Sequence, residues 1–378
     1  MVRLFKIIAA FMSTALFLVA CDIPSGGPRL FGGQVKVGLL VPTGSDDARV
    51  NNLASTLVDA ANLAISEAPN AKIQMIVYPT QGTEAGARNA ARQAIAANVN
   101  VIIGPLFGAN AAAVGQEVSG KNTLVLSFSN NGEIAGGNLF VLGQTFEDTA
   151  TRLLAYAKSQ GSSRALAVVP SGAEGDIAAN AVSRAAANAG ITYSGKASYP
   201  FSQEGVQNSA TTIVNQTRNT GSDVVVVSAN PAGALPLLAQ SLGEKGFDNT
   251  QTQVVGLARW DVPATTLTLT ALGNGLFALP NIQAATDFST KFEAFAGVPP
   301  QLVTGVGYDA MKVVTTQALT GGSDALSIAR ITSKTFEGAS GAFKLTTDRQ
   351  TQRELAVAQV RGGSYVVVSQ PNVSGSGS

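Results

Sequence analysis

Short, wholly apolar runs recur along this chain, each followed by small polar residues and then by a stretch with helical spacing. Val35-Lys-Val-Gly-Leu-Leu-Val41 stops at Pro42-Thr43-Gly44-Ser45, and residues 73–77, 101–103, 124–126 and 139–141 repeat the pattern. Apolar runs this short, bounded by turn residues, predict strands buried on both faces. Between them, Asp46 or Asp47 can cap a helix whose apolar positions Leu53, Leu57, Val58, Ala61 and Ile65 share one face. An alanine-rich helix is predicted over 84–97, and another over 111–118, opened by Gly108-Ala-Asn110. The alternation then restarts. Helices are predicted over 149–160, 177–189, 209–220 and 232–245, with strands over 164–169, 198–201, 223–227 and 253–257. A strand over 275–279, helices over 287–295 and 304–319, a Gly-rich turn with a strand over 338–343, and a hairpin about Gly362-Gly363 close the chain. Repeated βαβ units predict an α/β protein with two doubly wound parallel-sheet lobes.

In such sheets ligands sit at the carboxyl edge of the strands. The residues placed there are Thr43, Gly108, Asn110, Ser129, Asn130 and Asn131 in the first unit, and Glu174, Asp176, Asn230, Arg259 and Trp260 in the second. Small side chains let a ligand approach the backbone, and helix N-termini offer free N–H groups. The same residue types also make turns, and Trp260 reads equally well as a core aromatic.

Composition narrows the function. Of 378 residues, 45% are hydrophobic and 13% charged, enough for two cores. A net charge of +1 without interleaved basic and aromatic residues argues against nucleic acid. The absence of histidine removes Ser-His-Asp and Cys-His catalysis and most zinc sites. Gly172 to Asp176 lacks the Gly-Lys-Ser/Thr of a phosphate loop. The carboxylate pairs Asp46/Asp47 and Glu147/Asp148 stand where helix caps are wanted. A non-catalytic binder of a small polar ligand, without cofactor or metal, is the expectation.

Arg3 and Lys6 precede an apolar run over 7–20 that is short for a membrane span, which predicts an export signal over 1–21. Its end, Leu18-Val-Ala-Cys21, resembles the bacterial lipobox. The resemblance implies that Cys21 becomes the lipid-modified first residue and anchors the protein at the periplasmic face of a bacterial cell membrane. Asp22 implies inner-membrane retention on the enterobacterial pattern. Residues 22–34 read as a tether and 369–378 as a flexible tail.

Val37-Gly-Leu-Leu-Val-Pro-Thr-Gly44, Ile102-Ile-Gly-Pro105, Ser127 to Asn131, Gly307-Tyr-Asp-Ala310 and Gly341-Ala-Phe343, in that order, resemble the type I periplasmic binding proteins of the leucine/isoleucine/valine-binding branch. The resemblance implies two lobes, 35–147 with 276–345 and 148–275 with 346–368. Crossings are expected near Thr145-Phe146, Phe277-Ala278 and Leu345-Thr346, with ligand held between the lobes. It implies a receptor that serves an ABC transporter permease. The family's carboxylate-binding loop corresponds to Phe107–Asn110, without a hydroxyl, and its second loop to Ser129–Asn131. The family's ammonium partners correspond to the loops carrying Glu174, Asp176, Asn230 and Arg259-Trp260. Arg259 would oppose an ammonium, so branched-chain amino acids are expected to bind poorly. Gly104-Pro-Leu106, Phe146-Glu-Asp148 and Pro170 through Asn180 are also similar to the penicillin-binding protein activator lipoproteins, whose partner is a peptidoglycan synthase.

Overall fold

The computed structural model describes residues 34–373. Cys21, the expected signal and most of the expected tether lie outside the described residues. The first unit runs β1 (Val35–Val41), α1 (Ala48–Ser66), β2 (Ile73–Pro79), α2 (Glu84–Ala96), β3 (Val101–Ile103), α3 (Gly108–Glu117), β4 (Leu124–Ser127) and β5 (Leu139–Val141). Its five strands are all parallel, in the order β2-β1-β3-β4-β5. Every residue of β1 except Lys36 is buried because helices cover both faces. Leu57, Ala60, Ala61 and Ala64 bury one side of α1 beneath the sheet, while the alanines of α2 pack on the opposite face. The Asp47 carboxylate caps α1, accepting from the Arg49 N–H at 2.8 Å, as its position in the sequence suggests.

The second unit runs α4 (Phe146–Ser159), β6 (Arg164–Pro170), α5 (Ala173–Ala189), β7 (Thr192–Tyr199), α6 (Gln203–Thr220), β8 (Val224–Val227), α7 (Leu235–Glu244), β9 (Gln253–Gly256) and β10 (Leu276–Pro280). Its parallel strands take the order β7-β6-β8-β9-β10, the topology of the first sheet repeated. The chain then makes α8 (Ile282–Ala296), α9 (Thr304–Thr320), α10 (Ile328–Thr332), β11 (Thr335–Gly338), β12 (Gly341–Leu345), β13 (Thr351–Arg361) and β14 (Ser364–Val373). Phe288, Phe292, Met311 and Val314 of α8 and α9 share one core with Val35, Leu39 and Leu57, so these helices return to the first sheet. β13 lies antiparallel to β10, and β14 to β13.

Three details depart from the sequence reading. Residues 276–280, assigned to the first lobe, pair with β9 and β13 in the second sheet. Residues 369–373, expected in a flexible tail, continue β14, and Arg152 holds them by donating to Ser369 Oγ (2.6 Å) and the Gln370 carbonyl (3.0 Å). Helices α5, α6 and α8 begin several residues before their expected starts. The first turns of α5 and α6 are largely polar or glycine, so apolar periodicity does not register them, whereas α8 opens on Ile282-Gln-Ala-Ala285, which the sequence reading left outside the helix. The caps were the usable signal for two of them: Ser202 accepts from the Gly205 N–H (3.0 Å) and Asn281 from the Ala284 N–H (3.2 Å).

The crossings between the sheets are cross-linked by Arg353 at the start of β13. Its guanidinium donates to Asp309 Oδ2 (2.6 Å) and to the Leu142 carbonyl (2.7 Å), and its backbone N–H donates to Asp148 (3.2 Å). Asp309 also accepts from the Ala339 N–H at 2.6 Å. The second expected carboxylate pair is therefore only partly a cap. Thr145 caps α4 by accepting from the Asp148 N–H (3.1 Å), Glu147 accepts from Arg184 (2.6 Å), and the Asp148 carboxylate is buried in the hinge. Burial pushes the Asp148 carboxyl up to about 7 against the opposing pull of Arg353.

Candidate functional site

Both sheets reverse their strand order once, between β1 and β3 in the first and between β6 and β8 in the second. At such a reversal the flanking loops diverge to opposite faces and leave a crevice at the carboxyl edge. In the first lobe the crevice is flanked by residues 42–47 and 104–108. Gly104, with φ +89°, lets β3 leave the sheet beside β1. A Cβ there would stand 2.2 Å from the Leu40 carbonyl oxygen. Asn51 fixes the β1 exit, its Oδ1 accepting from the Gly44 (2.8 Å) and Ser45 (3.2 Å) N–H groups. Exposed Thr43 sits on this loop and accepts from the Gln81 N–H through its carbonyl (3.2 Å).

Helix α3 begins at Gly108 with no side-chain cap from Phe107. Its first N–H groups have no intrahelical partner, and the helix end carries partial positive charge. Gly108 lies against the β4 exit: a Cβ on it would meet Ser129 Oγ at 3.5 Å and Asn131 Cβ at 3.6 Å. That exit is a chain of side-chain turns. Ser129 N–H donates to Ser127 Oγ, Asn131 N–H to Ser129 Oγ (each 3.1 Å), and Glu133 N–H to Asn131 Oδ1 (3.0 Å). These side chains thus make turns, as one sequence reading allowed, and also floor the space before an uncapped helix. Asn130 is exposed beside them, and Asn110 is 3% exposed with a buried Nδ2 that has no partner among the described residues.

The second lobe is built differently. Gly172, with φ +100°, precedes α5, which also lacks a side-chain cap. Glu174 and Asp176 are exposed in its first turn, and Asp176 pairs with Lys196 of β7. These carboxylates complement the helix N-terminus, so this end of α5 is already partly neutralised. Beneath Glu174, Tyr199 is buried; burial and then the Glu174 charge push its hydroxyl up to about 12. Asn230 is exposed at the β8 exit, its carbonyl accepting from the Gly233 (3.1 Å) and Leu235 (3.2 Å) N–H groups.

Two expectations change here. Trp260 does not rim a cleft. It is 0% exposed in the core of the second sheet, 5.8 Å from the Phe277 ring, over the bare backbones of Gly256 and Gly275. Nor is Arg259 a free cation: it donates to both Asp261 oxygens, at 3.0 and 2.5 Å. Neither Phe107, named in the sequence only as the start of the Phe107–Asn110 loop, nor Phe201 was chosen as a site residue; they follow β3 and β7 with 38% and 78% of their surface exposed. A large exposed aromatic at a strand exit was the signal that could have found them. At the crossings, a polar cavity of about 90 Å³ is lined by Glu147, Asp148, Gln350 and Thr351 among others. Arg184 of α5 donates to Glu147, which lines this cavity, and to Glu133 (2.8 Å), tying the second lobe to the loop that carries Ser129–Asn131. Among the described residues no group of three or more acidic, His or Cys side chains could hold a metal ion, and no helix is long and apolar enough to cross a membrane.

Two like-wound α/β lobes, joined by a cross-linked hinge and carrying their polar loops at strand exits, define a bilobal ligand-binding protein. The chain belongs to the periplasmic binding protein family, whose sequence pattern matches residues 34–364. Solved structures of similar fold include a branched-chain amino acid ABC transporter periplasmic ligand-binding protein from Burkholderia xenovorans. It is 18% identical, with a TM-score of 0.67 over 90% of this chain and 96% of that one. A branched-chain amino acid ABC transporter protein from Rhodospirillum rubrum is 16% identical, with a TM-score of 0.70 over 89% and 100%. A solute-binding protein of an ABC transporter from Rhodopseudomonas palustris, in complex with 3,4-dihydroxybenzoic acid, is 17% identical, with a TM-score of 0.57 over 91% and 99%. No curated protein matches the sequence.

Proposed function

We propose that this protein is the solute receptor of an ABC importer, anchored through Cys21 at the periplasmic face of the membrane, and that its ligand is a small carboxylate. The observation that carries the ligand class is the uncapped N-terminus of α3 at Gly108, set against Ser129 and Asn131. Free N–H groups at the positive end of a helix favour an anion without a side-chain cation. The exposed rings of Phe107 and Phe201 at strand exits suit an apolar or aromatic body on that carboxylate. An α-ammonium is served less well. Glu174 is the free carboxylate near the second crevice, while Asp176 is engaged by Lys196. Because Arg259 is held by Asp261, it no longer supplies the repulsion expected of it; what disfavours leucine, isoleucine and valine is the shortage of a buried acidic partner. The lobe bounds read from sequence stand as part of this proposal, with the second crossing moved to the end of β10. Neither the fold nor the comparisons lend support to the peptidoglycan-synthase activator reading.

The test is ligand capture by native mass spectrometry from a pool of amino acids, aliphatic and aromatic carboxylates and neutral sugars. A retained carboxylate is the expected result. Retention of a neutral sugar, or of nothing from the pool, would count against the proposal.

A further inference from the structure

The β4 exit, which carries Ser129 and Asn131 beside Gly108, is gripped from outside its own lobe. Asn131 Oδ1 accepts from the Glu133 N–H at 3.0 Å, and the Glu133 carboxylate accepts from Arg184 Nη2 at 2.8 Å. Arg184 belongs to α5 of the second lobe, about 16 Å along the helix from Ala173. Its Nε donates at 2.6 Å to Glu147, at the start of α4 just past the first crossing. Gln350, in the third crossing, closes the circuit. Its Nε2 lies 3.4 Å from Glu147 Oε2, and a Cβ on Gly132 would stand 2.7 Å from its Oε1. Unlike the hinge contacts of Arg353, the Arg184–Glu133 pair joins two elements that belong to no crossing, α5 and the turn after β4.

A lone ion pair at the surface contributes little. Here one planar guanidinium spans two carboxylates through two different N–H groups, a geometry that the point charge of a lysine reproduces poorly. Glu147 is the less exposed partner, 17% against 38% for Glu133, so the contact to Glu133 is the weaker and more readily released. The polar cavity of about 90 Å³ beside it leaves Glu147 and Gln350 room to shift. We propose that Arg184 is a latch between the lobes: a positioning residue that sets the Ser129–Asn131 turn from the opposite lobe and releases it when the lobes part. The inference rests on the reading of the α3 N-terminus and this turn as the ligand seat. One rigid helix then carries the edge of the second crevice at Gly172 and, through Arg184, the grip on the first. A ligand that uses the turn is bound best while α5 is docked against it.

The test needs no ligand. Amide hydrogen exchange is followed on the ligand-free full chain in peptides covering 127–135, with β8 as the internal reference. Arg184→Ala and Glu133→Ala are each expected to speed exchange over 127–135 roughly two- to fivefold, with exchange in β8 unchanged. The double variant is expected to gain little beyond either single one, because the two residues act as one unit. Arg184→Lys is expected to fall between Arg184→Ala and the parent. The lobes themselves are followed by spin-label distances. Cys21 is the one native cysteine, so Glu84→Cys and Gln203→Cys in a Cys21→Ser chain carry one nitroxide each, in the first turns of α2 and α6 at the two carboxyl edges. Adding Arg184→Ala is expected to shift their distance distribution to longer values. Parental exchange over 127–135 in both single variants, additive effects in the double variant, or an unmoved distance distribution overturns the proposal. Undiminished ligand binding by Gly108→Asp would instead remove the seat reading alone, since neither readout contains ligand.

Discussion

Arg353 Nη1 lies 2.6 Å from Asp309 Oδ2 in the hinge, and the two side chains are 6% and 1% exposed. Both charges have left water, so each depends on the other and on the Leu142 carbonyl and Ala339 N–H that complete their hydrogen bonds. Arg353 belongs to β13 and Asp309 to α9, so this pair links the second sheet's chain to a helix of the first lobe.

Removing one partner strands the other charge. Asp309→Asn is expected to cost about 3–5 kcal/mol, whereas Arg49→Ala, which breaks an exposed pair with Asp47, is expected to leave stability close to the parent's. Urea unfolding of the two variants checks this. Equal, small losses would show that the hinge pair does not hold the lobes.

Asp148 gives the hinge a pH dependence. Its carboxyl is raised from 3.8 to about 7 in the folded protein, chiefly by burial. Between those values the folded chain binds a proton that the unfolded chain has released. Its contribution to stability therefore falls as pH rises from about 4 to 7 and is flat above that. The total is on the order of 4 kcal/mol. Asp148→Asn, which keeps an acceptor for the Arg353 N–H, is expected to remove most of this slope and to melt higher than the parent at pH 8. Melting curves from pH 5 to pH 8, values that bracket the titration, measure both. Parallel pH profiles would contradict the assignment.

Trp260 is expected to behave as core. Trp260→Ala should cost about 3–5 kcal/mol, because the two glycines beneath the indole cannot fill the space it leaves. Gly256→Val should destabilise by the opposite route, since even a Cβ there would stand 2.2 Å from the indole. Denaturant midpoints decide the point; a Trp260→Ala variant of near-parental stability would return Trp260 to the surface.

The strand and helix sequence was legible because strands buried on both faces leave unbroken apolar runs, as at Val35–Val41 and Val224–Val227. The polar first turn of α6 hid its start, while α8 opens on the apolar Ile282, Ala284 and Ala285 and was still begun too late; Ser202 and Asn281 were the readable caps. The return of β10 to the second sheet was not legible, because pairing with β13 is decided by residues far along the chain. At the candidate site, Gly108, Ser129 and Asn131 were placed at strand exits from the sequence, and the structure brings these three side by side. Trp260 and Arg259 stand at a strand exit too. One folds back over Gly256 and the other pairs two residues along with Asp261, and neither event leaves a trace in spacing. Phe107 and Phe201 at the β3 and β7 exits were not legible as surface groups, because an apolar ring beside a buried strand reads as core until its exposure is seen.

The central claim is that the N-terminus of α3 seats a carboxylate. It is tested most directly by titration calorimetry of the captured ligand against Gly108→Asp and Gly108→Ala. The contacts a Cβ would make at Gly108 are ordinary ones, 3.5 Å and longer, so alanine should fit. An aspartate in the first turn complements the helix end and should not destabilise the fold. It would also occupy the seat and repel an anion. The expected result is a fold of parental stability that loses at least ~100-fold in affinity, about 2.8 kcal/mol, with Asp at this position and much less with Ala. Undiminished binding by Gly108→Asp would contradict the account.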